Sequence, residues 1–374
     1  MAHILKYPNP KTKNKGLITF THNEWEFFWK NRETTTPVVA DLKTQFYLGF
    51  NAARYHGKIN YPTDIDYCFS SPSLIEIHNN HTLNIPWLDR NFLPSFFKDM
   101  GIENKFYDII TVSRAIKFKH VLDLVKALRV LFDRNKYYNT LLVIPTPENE
   151  GDGRFETELV QYINDNFSYE ERKYINVCKL SPELGFLGMS QRSISFLYNN
   201  SKVVYKGSEG EGTCRALHEG IVCGCTAVYF KHHKGALVDY LDDTNSVPFK
   251  KHQTAVDAKP WGNLEYDIEE IADCLEEAVD NNVKYRPDTN KLYNLLGESN
   301  IKEKLIPWFS KLYEKDGVEF DKELINLDNA HNRFCGHYLN DPWKNPNPSE
   351  PTTAIKSIEQ LSTFLNYLNH EHSK

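Results

Sequence analysis

The regular alternation of strand and helix signals between Tyr107 and Val279 limits what this chain folds into more than any other feature of it. Tyr107–Val112 is a β-rich run. His120–Asn135 follows with Val121, Leu124, Val125, Leu128, Leu131 and Phe132 at three- and four-residue spacing, the pattern of an amphipathic helix. Leu141–Ile144 is continuously apolar and closed by Pro145, as a strand buried on both faces requires. Further helices are expected over Phe155–Phe167, Ser193–Tyr198, Arg215–Val222, Gly235–Leu241 and Ile268–Val279, and strands over Tyr174–Leu180, Lys202–Tyr205 and Thr226–Phe230. Such alternation with short connections builds a parallel sheet covered on both faces, a Rossmann-like α/β domain whose ligands bind at the carboxyl ends of the strands.

The 374 residues are enough for more than one core, at roughly 100–200 residues per domain. A small N-terminal α/β domain is expected over residues 1–100 and the Rossmann-like domain over 101–282. A polar, helical C-terminal region is expected over 283–374. In the first of these, strands are expected at Leu17–Thr21, Pro37–Ala40, Ile65–Ser70 and Ile75–His78, and helices at Glu24–Lys30 and Thr44–Tyr55, with a linker near Asn84–Lys105. In the last, Asn340–Pro351 reads as a turn-rich break and Ala354–Leu368 as a final helix.

Composition removes several classes of function. No apolar run approaches the ~20 residues of a membrane span, and the polar, Pro-broken N-terminus is no signal peptide, so a cytoplasmic protein is expected. The seven cysteines are scattered and odd in number, which fits reduced thiols rather than a disulfide framework. Cys223-Gly-Cys225 is too closely spaced for the common zinc pattern. A net charge of −6 with both signs interspersed lacks the basic patch of a duplex-DNA binder, so nucleic acid enters only as an acceptor substrate.

Two groups of residues carry chemistry. Ser208, Glu211, Gly212, Thr213 and Glu219 follow the Lys202–Tyr205 strand, with Gly212-Thr213 expected to open a helix whose first amides have no intrahelical partner. Such a start suits phosphate or sugar oxygens, because the amides and the positive end of the dipole point the same way. Arg114 and Lys119 lie on the first strand–helix turn, at the same carboxyl edge. A planar fork and a mobile ammonium together suit a diphosphate.

The ordered set Arg114-x4-Lys119, the Leu141–Ile144 strand, then Ser208-x2-Glu211-x7-Glu219 before Gly224, resembles the retaining GT-B glycosyltransferases of the GT4 type. The resemblance spans about residues 85–280, with Ile85–Asp89 and Pro94 standing where that family has its inter-domain segment. It implies a GT-B fold of two Rossmann-like domains, here with a reduced N-terminal domain and C-terminal helices. It also implies a nucleotide-sugar donor held by the 101–282 domain, and transfer of its sugar to an acceptor with retention of configuration. Arg114 and Lys119 match the family's phosphate-binding pair. Glu211 is expected to face the donor sugar and Glu219 the ribose, with Gly212, Thr213 and Cys214 beside the donor. Acceptor-side candidates are His22 and His56, and His78 and His81 join them as candidate bases. The reaction so implied needs neither cofactor nor metal. This chain departs from the family in its short N-terminal domain, in the sequence Phe20-Thr-His22-Asn-Glu24 where a glycine-rich loop is usual, and in Thr213-Cys-Arg215.

Two other readings stand beside this one. Asp64-Ile-Asp66 imitates the Asp-x-Asp that holds a divalent metal in GT-A glycosyltransferases. A protein that keeps the fold and binds a nucleotide-sugar without catalysis is the second.

Overall fold

The computed structural model describes residues 2–20, 32–51, 65–70, 83–87, 91, 93–145, 150–180, 189–212, 214–235, 238–254, 264–297, 301–324 and 354–355. The chain forms two compact units, residues 1–94 with 298–374, and residues 95–297. Among the described residues no helix is long and apolar enough to cross a membrane.

In the first unit, β1 (Ala2–Lys6), β2 (Gly16–Phe20), β3 (Phe46–Asn51), β4 (Tyr67–Phe69) and β5 (Leu83–Ile85) lie side by side in sequence order. β2 to β5 are parallel, β1 is antiparallel to β2, and a short strand Ala354–Ile355 pairs antiparallel with β1 outside it. Leu17, Tyr47, Tyr67, Phe69 and Ile85 from this sheet form one core with Leu305, Phe309, Leu312 and Tyr313 of the helix Ile301–Glu314.

The second unit carries six parallel strands: β6 (Tyr107–Val112), β7 (Thr140–Ile144), β8 (Ile175–Lys179), β9 (Ser201–Lys206), β10 (Thr226–Phe230) and β11 (Ser246–Phe249). Their spatial order is β11-β10-β9-β6-β7-β8. The chain runs outward from β6 to β8, returns to the other side of β6 at β9, and runs outward again. The point of reversal lies between β6 and β9, where an open α/β sheet leaves a crevice for ligands.

Helices fill both faces, because parallel strands are too apolar to be left in water. After α1 (Arg32–Gln45) of the first unit, the helices of the second are α2 (Val121–Asp133), α3 (Glu150–Asn166), α4 (Gln191–Asn199), α5 (Arg215–Val222), α6 (Ile268–Asp280) and α7 (Thr289–Leu296). α2, α3 and α6 share a core with Val203, Tyr205, Val228 and Phe230. Val204 points the other way, towards α5, where a Cβ on Gly220 would stand 2.9 Å from its Cγ1. That contact fixes how closely α5 approaches the sheet.

Several local expectations are corrected. Pro37–Ala40 lies inside α1 rather than in a strand, since β-branched residues prefer strands only weakly and packing overrides them. Of the helix expected at Thr44–Tyr55, Phe46–Asn51 is β3 with all six residues buried. A short apolar run has no periodicity to separate helix from strand. Of the helix expected at Gly235–Leu241, Gly235 belongs to a strand, with Lys234–Gly235 paired to Gly210–Glu211, and Asp239-Tyr240 is a turn, while residues 236–237 lie outside the described residues. Ala354-Ile355 is strand, not the start of a helix. The 283–374 stretch is divided, with α7 in the second unit and the helix Ile301–Glu314 in the first. The candidate elements Glu24–Lys30 and Ile75–His78 lie outside the described residues.

Candidate active site

The carboxyl ends of β6 and β9 deliver the residues of interest to the reversal point. Ser113 and Arg114 follow β6, and Lys117–Lys119 is a single 3₁₀ turn leading into α2. Lys206 is the last residue of β9, and Gly207–Gly212 make the loop that follows. Gly207 is required there, because a Cβ would meet the Tyr205 hydroxyl at 2.4 Å and the His120 Cβ at 3.0 Å.

One carboxylate organises the cluster. Glu211 Oε1 accepts from Lys119 Nζ at 2.6 Å and Ser208 Oγ at 2.7 Å, and Lys206 Nζ stands 3.0 Å away. Lys206 also donates to Ser113 Oγ at 3.3 Å, which ties the ends of β6 and β9 together. Lys206 is 5% exposed. Burial alone would raise the Glu211 pKa, but Lys119 and Lys206 outweigh it and hold the carboxyl well below its usual range. Burial pushes the Lys119 pKa down against the pull of Glu211. Lys206 is also desolvated, yet Glu211 raises its pKa, while Arg114 pulls it downwards. Two ammonium groups, that of buried Lys206 and that of half-buried Lys119, thus share one anion, and a guanidinium adds to the same positive field. Such a site has electrostatic room for a further anion.

The loop is braced from behind. His120 sits in the left-handed region (φ 54°) with Nδ1 2.7 Å from Asp123 Oδ2 and Nε2 3.0 Å from Glu209 Oε1. Its ring lies against Tyr266, whose hydroxyl donates to the Gly207 carbonyl at 2.8 Å. Glu209 Oε1 also accepts the Leu264 amide at 3.0 Å. On the other side, His233 Nδ1 contacts the Ser208 carbonyl at 2.7 Å.

The structure therefore brings Arg114, Lys119 and Glu211 to one edge. α5 opens at Arg215, not at Gly212, because Cys214 takes the left-handed cap position (φ 44°) and Leu217 and His218 bond back to its carbonyl. Gly212 lies in the loop ahead of that cap, and Thr213 lies outside the described residues. The Cys214 thiol is 3% exposed, and burial pushes its pKa up to about 12, so it is no nucleophile. Glu219 stands one turn along α5, buried, and accepts from Arg215 Nη2 at 2.7 Å. His22, His56, His78, His81 and Asp64 lie outside the described residues. Asp66 accepts the Leu48 amide at 2.7 Å, a bond that joins β3 to the start of β4. Sequence reasoning passed over Lys206 and His233. The first was legible as a cation ending an apolar strand, and the second had no local signal, since its place depends on which loop it covers.

Neither a family model nor a curated protein matches this sequence. Solved structures do match its fold. The pneumococcal O-GlcNAc transferase GtfA in complex with UDP and GlcNAc aligns with a TM-score of 0.51 at 16% identity, over 75% of this chain and 54% of that one. A UDP-forming α,α-trehalose-phosphate synthase from Burkholderia xenovorans aligns at 0.54 and 11% identity, over 78% and 79%. A sucrose-phosphate synthase from Thermosynechococcus elongatus aligns at 0.52 and 12% identity, over 80% and 74%. The chain spans about half the length of GtfA, 54% of it. These likenesses, together with two units each built on parallel strands, establish the architecture as the GT-B fold.

Proposed function

We propose that this chain is a retaining glycosyltransferase that takes a sugar from a nucleotide-sugar and transfers it, without a metal, to an acceptor such as a glycan, lipid, protein or modified nucleic acid. The observation that carries the reading is the pairing of buried Lys206 and half-buried Lys119 on the single carboxylate of Glu211, at the sheet's reversal point. A diphosphate supplies the negative charge that this cluster lacks. The fold-mates agree in kind: GtfA is described with UDP, and the trehalose-phosphate synthase as UDP-forming.

In this scheme Arg114, Lys119 and Lys206 face the phosphates. Cleavage of the anomeric C–O bond leaves its electron pair on the leaving diphosphate, and fixed cations there lower the barrier. Glu211 faces the sugar and Glu219 the ribose, with Gly212, Thr213 and Cys214 lining the donor. Lys119 and Glu211 are already bonded, so the loop is ordered before the donor arrives, which lowers the entropic cost of binding.

The test is a thermal-shift and donor-hydrolysis screen over UDP-, GDP-, ADP- and CMP-sugars. A ligand that binds only the folded chain raises its melting temperature, by about 2.7 kcal/mol of stability at one hundred times its dissociation constant. One nucleotide series is expected to stabilise and to be hydrolysed. No shift with any of them sinks the proposal, and a shift without turnover on any acceptor favours the non-catalytic binding protein.

A further inference from the structure

His233 is the third residue after β10 and is 8% exposed. Its Nδ1 lies 2.7 Å from the Ser208 carbonyl, an oxygen that only accepts, so Nδ1 carries the hydrogen. Nε2 is then a lone pair. It is buried and, among the described residues, has no hydrogen-bond partner. Burial pushes the His233 pKa down to about 4; the Ser208 carbonyl and Glu211 pull it upwards and Lys119 pushes it lower. The ring is therefore neutral at physiological pH, and Nε2 remains an acceptor.

An orphan buried acceptor is costly, and native proteins seldom keep one without a ligand or water to fill it. Its surroundings narrow the choice. Lys234 and Gly235, the next two residues, pair with Gly210 and Glu211. Ser208, to whose carbonyl His233 is tied, donates its hydroxyl to Glu211. His233 thus covers the same loop that carries the cation cluster. Ionised phosphate oxygens only accept, so they do not satisfy Nε2. A ligand that satisfies both features brings an anion for the lysines and an O–H for the histidine.

We propose that His233 is a specificity-determining residue whose Nε2 accepts a hydrogen bond from one hydroxyl of the transferred sugar. This rests on the nucleotide-sugar reading and adds that the donor's glycosyl group, not its nucleotide, is read by this side chain. A sugar deoxygenated at that position leaves the lone pair orphaned and is discriminated against.

Two substitutions separate ligand recognition from loop bracing. His233→Asn places an amide N–H where Nδ1 was, keeping the tie to Ser208 and deleting the acceptor. His233→Gln reaches the Nε2 position and loses the tie. Dissociation constants are measured by calorimetry on the full chain for UDP, GDP, ADP and CMP and for the matching sugar nucleotides, with deoxy analogues of the sugar that binds. His233→Asn is expected to weaken the sugar nucleotide by roughly 10-fold, in line with the loss of one buried hydrogen bond. Its affinity for the bare nucleotide should stay within about twofold. His233→Gln should recover most of the sugar-dependent loss, and one deoxy analogue should bind wild type and His233→Asn alike. Equal losses for nucleotide and sugar nucleotide, no loss at all, or recovery by Asn and not by Gln each overturn the proposal. A wild-type chain that binds none of the nucleotides overturns it too, together with the donor reading beneath it. The two failures are distinguishable, because only the second is seen in the unmutated chain.

Discussion

At the scale of single residues, the cluster at the ends of β6 and β9 gives each side chain a different expected signature. Arg114→Ala should lower turnover about 10²–10³-fold, the range for one lost transition-state donor, with an unchanged melting temperature. Normal turnover would mean that the phosphates bind elsewhere. Glu211→Gln removes the anion shared by Lys119 and Lys206, so it should lower kcat while donor KM stays level or falls. Glu219→Gln should chiefly raise donor KM, because an interaction made equally in ground and transition states leaves the chemical step alone. Small, equal effects from both would remove the pair from the mechanism. His120 makes a pH prediction. Burial disfavours its charged form, but its bonds to Asp123 and Glu209 outweigh this and raise its pKa. The stabilisation is therefore complete below the unfolded value of about 6.5 and is lost as pH rises through the higher folded one. His120→Asn, which tolerates the left-handed backbone, should cost about 2 kcal/mol below pH 6 and progressively less in alkaline solution. Melting curves of both proteins across that range check it; the opposing titration of His233 is common to both and cancels. A cost that does not change with pH would mean that His120 braces the loop as a neutral ring.

At the scale of elements, α5 depends on one missing side chain. Gly220→Val would drive a branched side chain into Val204, whose Cγ1 is only 2.9 Å from the first added carbon. Val204 belongs to the middle of a parallel sheet and is itself stiff at χ1, so the helix must lift. The expected cost is about 3 kcal/mol, or roughly 6–12 °C in the melting temperature of a unit of this size. An unchanged midpoint would show that α5 moves freely on the sheet. The elements that sequence revealed best are those whose periodicity comes from a single buried face. α2 buries Val121, Leu124, Val125, Leu128, Leu131 and Phe132 as its spacing implies, β10 begins and ends at the expected residues, and α5 ends at the expected Val222. Failures fall where the pattern is too short to have a period. Phe46–Asn51 is six apolar or small residues, buried on all sides, and such a run reads equally as helix. Lys234–Gly235 is a strand only because Gly210–Glu211 lies beside it, a long-range fact with no local trace. The site followed the same rule. Arg114, Lys119 and Glu211 stood out from their order along the chain and Lys206 carried the weaker signal of a cation ending an apolar strand, whereas His233 became visible only when the loop was seen folded under it.

At the scale of the whole molecule, the two ends of the chain share a unit: the helix Ile301–Glu314 and the strand Ala354–Ile355 join the sheet that residues 2–20 begin. The candidate donor cluster belongs wholly to the other unit, residues 95–297. Its charge is supplied by side chains, and this sets the last prediction. A diphosphate leaving group needs positive charge at the moment of bond cleavage, which either a divalent metal or fixed cations deliver. Lys119, Lys206 and Arg114 arise from the β6 and β9 ends, and Lys206 is buried and Lys119 half-buried, so added salt screens them less than surface charges. Turnover measured with excess EDTA should stay within about twofold of the untreated rate, and the stabilisation by the bound nucleotide should be unchanged. The competing route runs through Asp64 and Asp66, and Asp66 already spends one oxygen on the Leu48 amide. If EDTA abolishes turnover and Mn²⁺ restores it, while nucleotide binding survives in the chelated protein, the lysine cluster serves binding alone and the chemistry belongs to a metal.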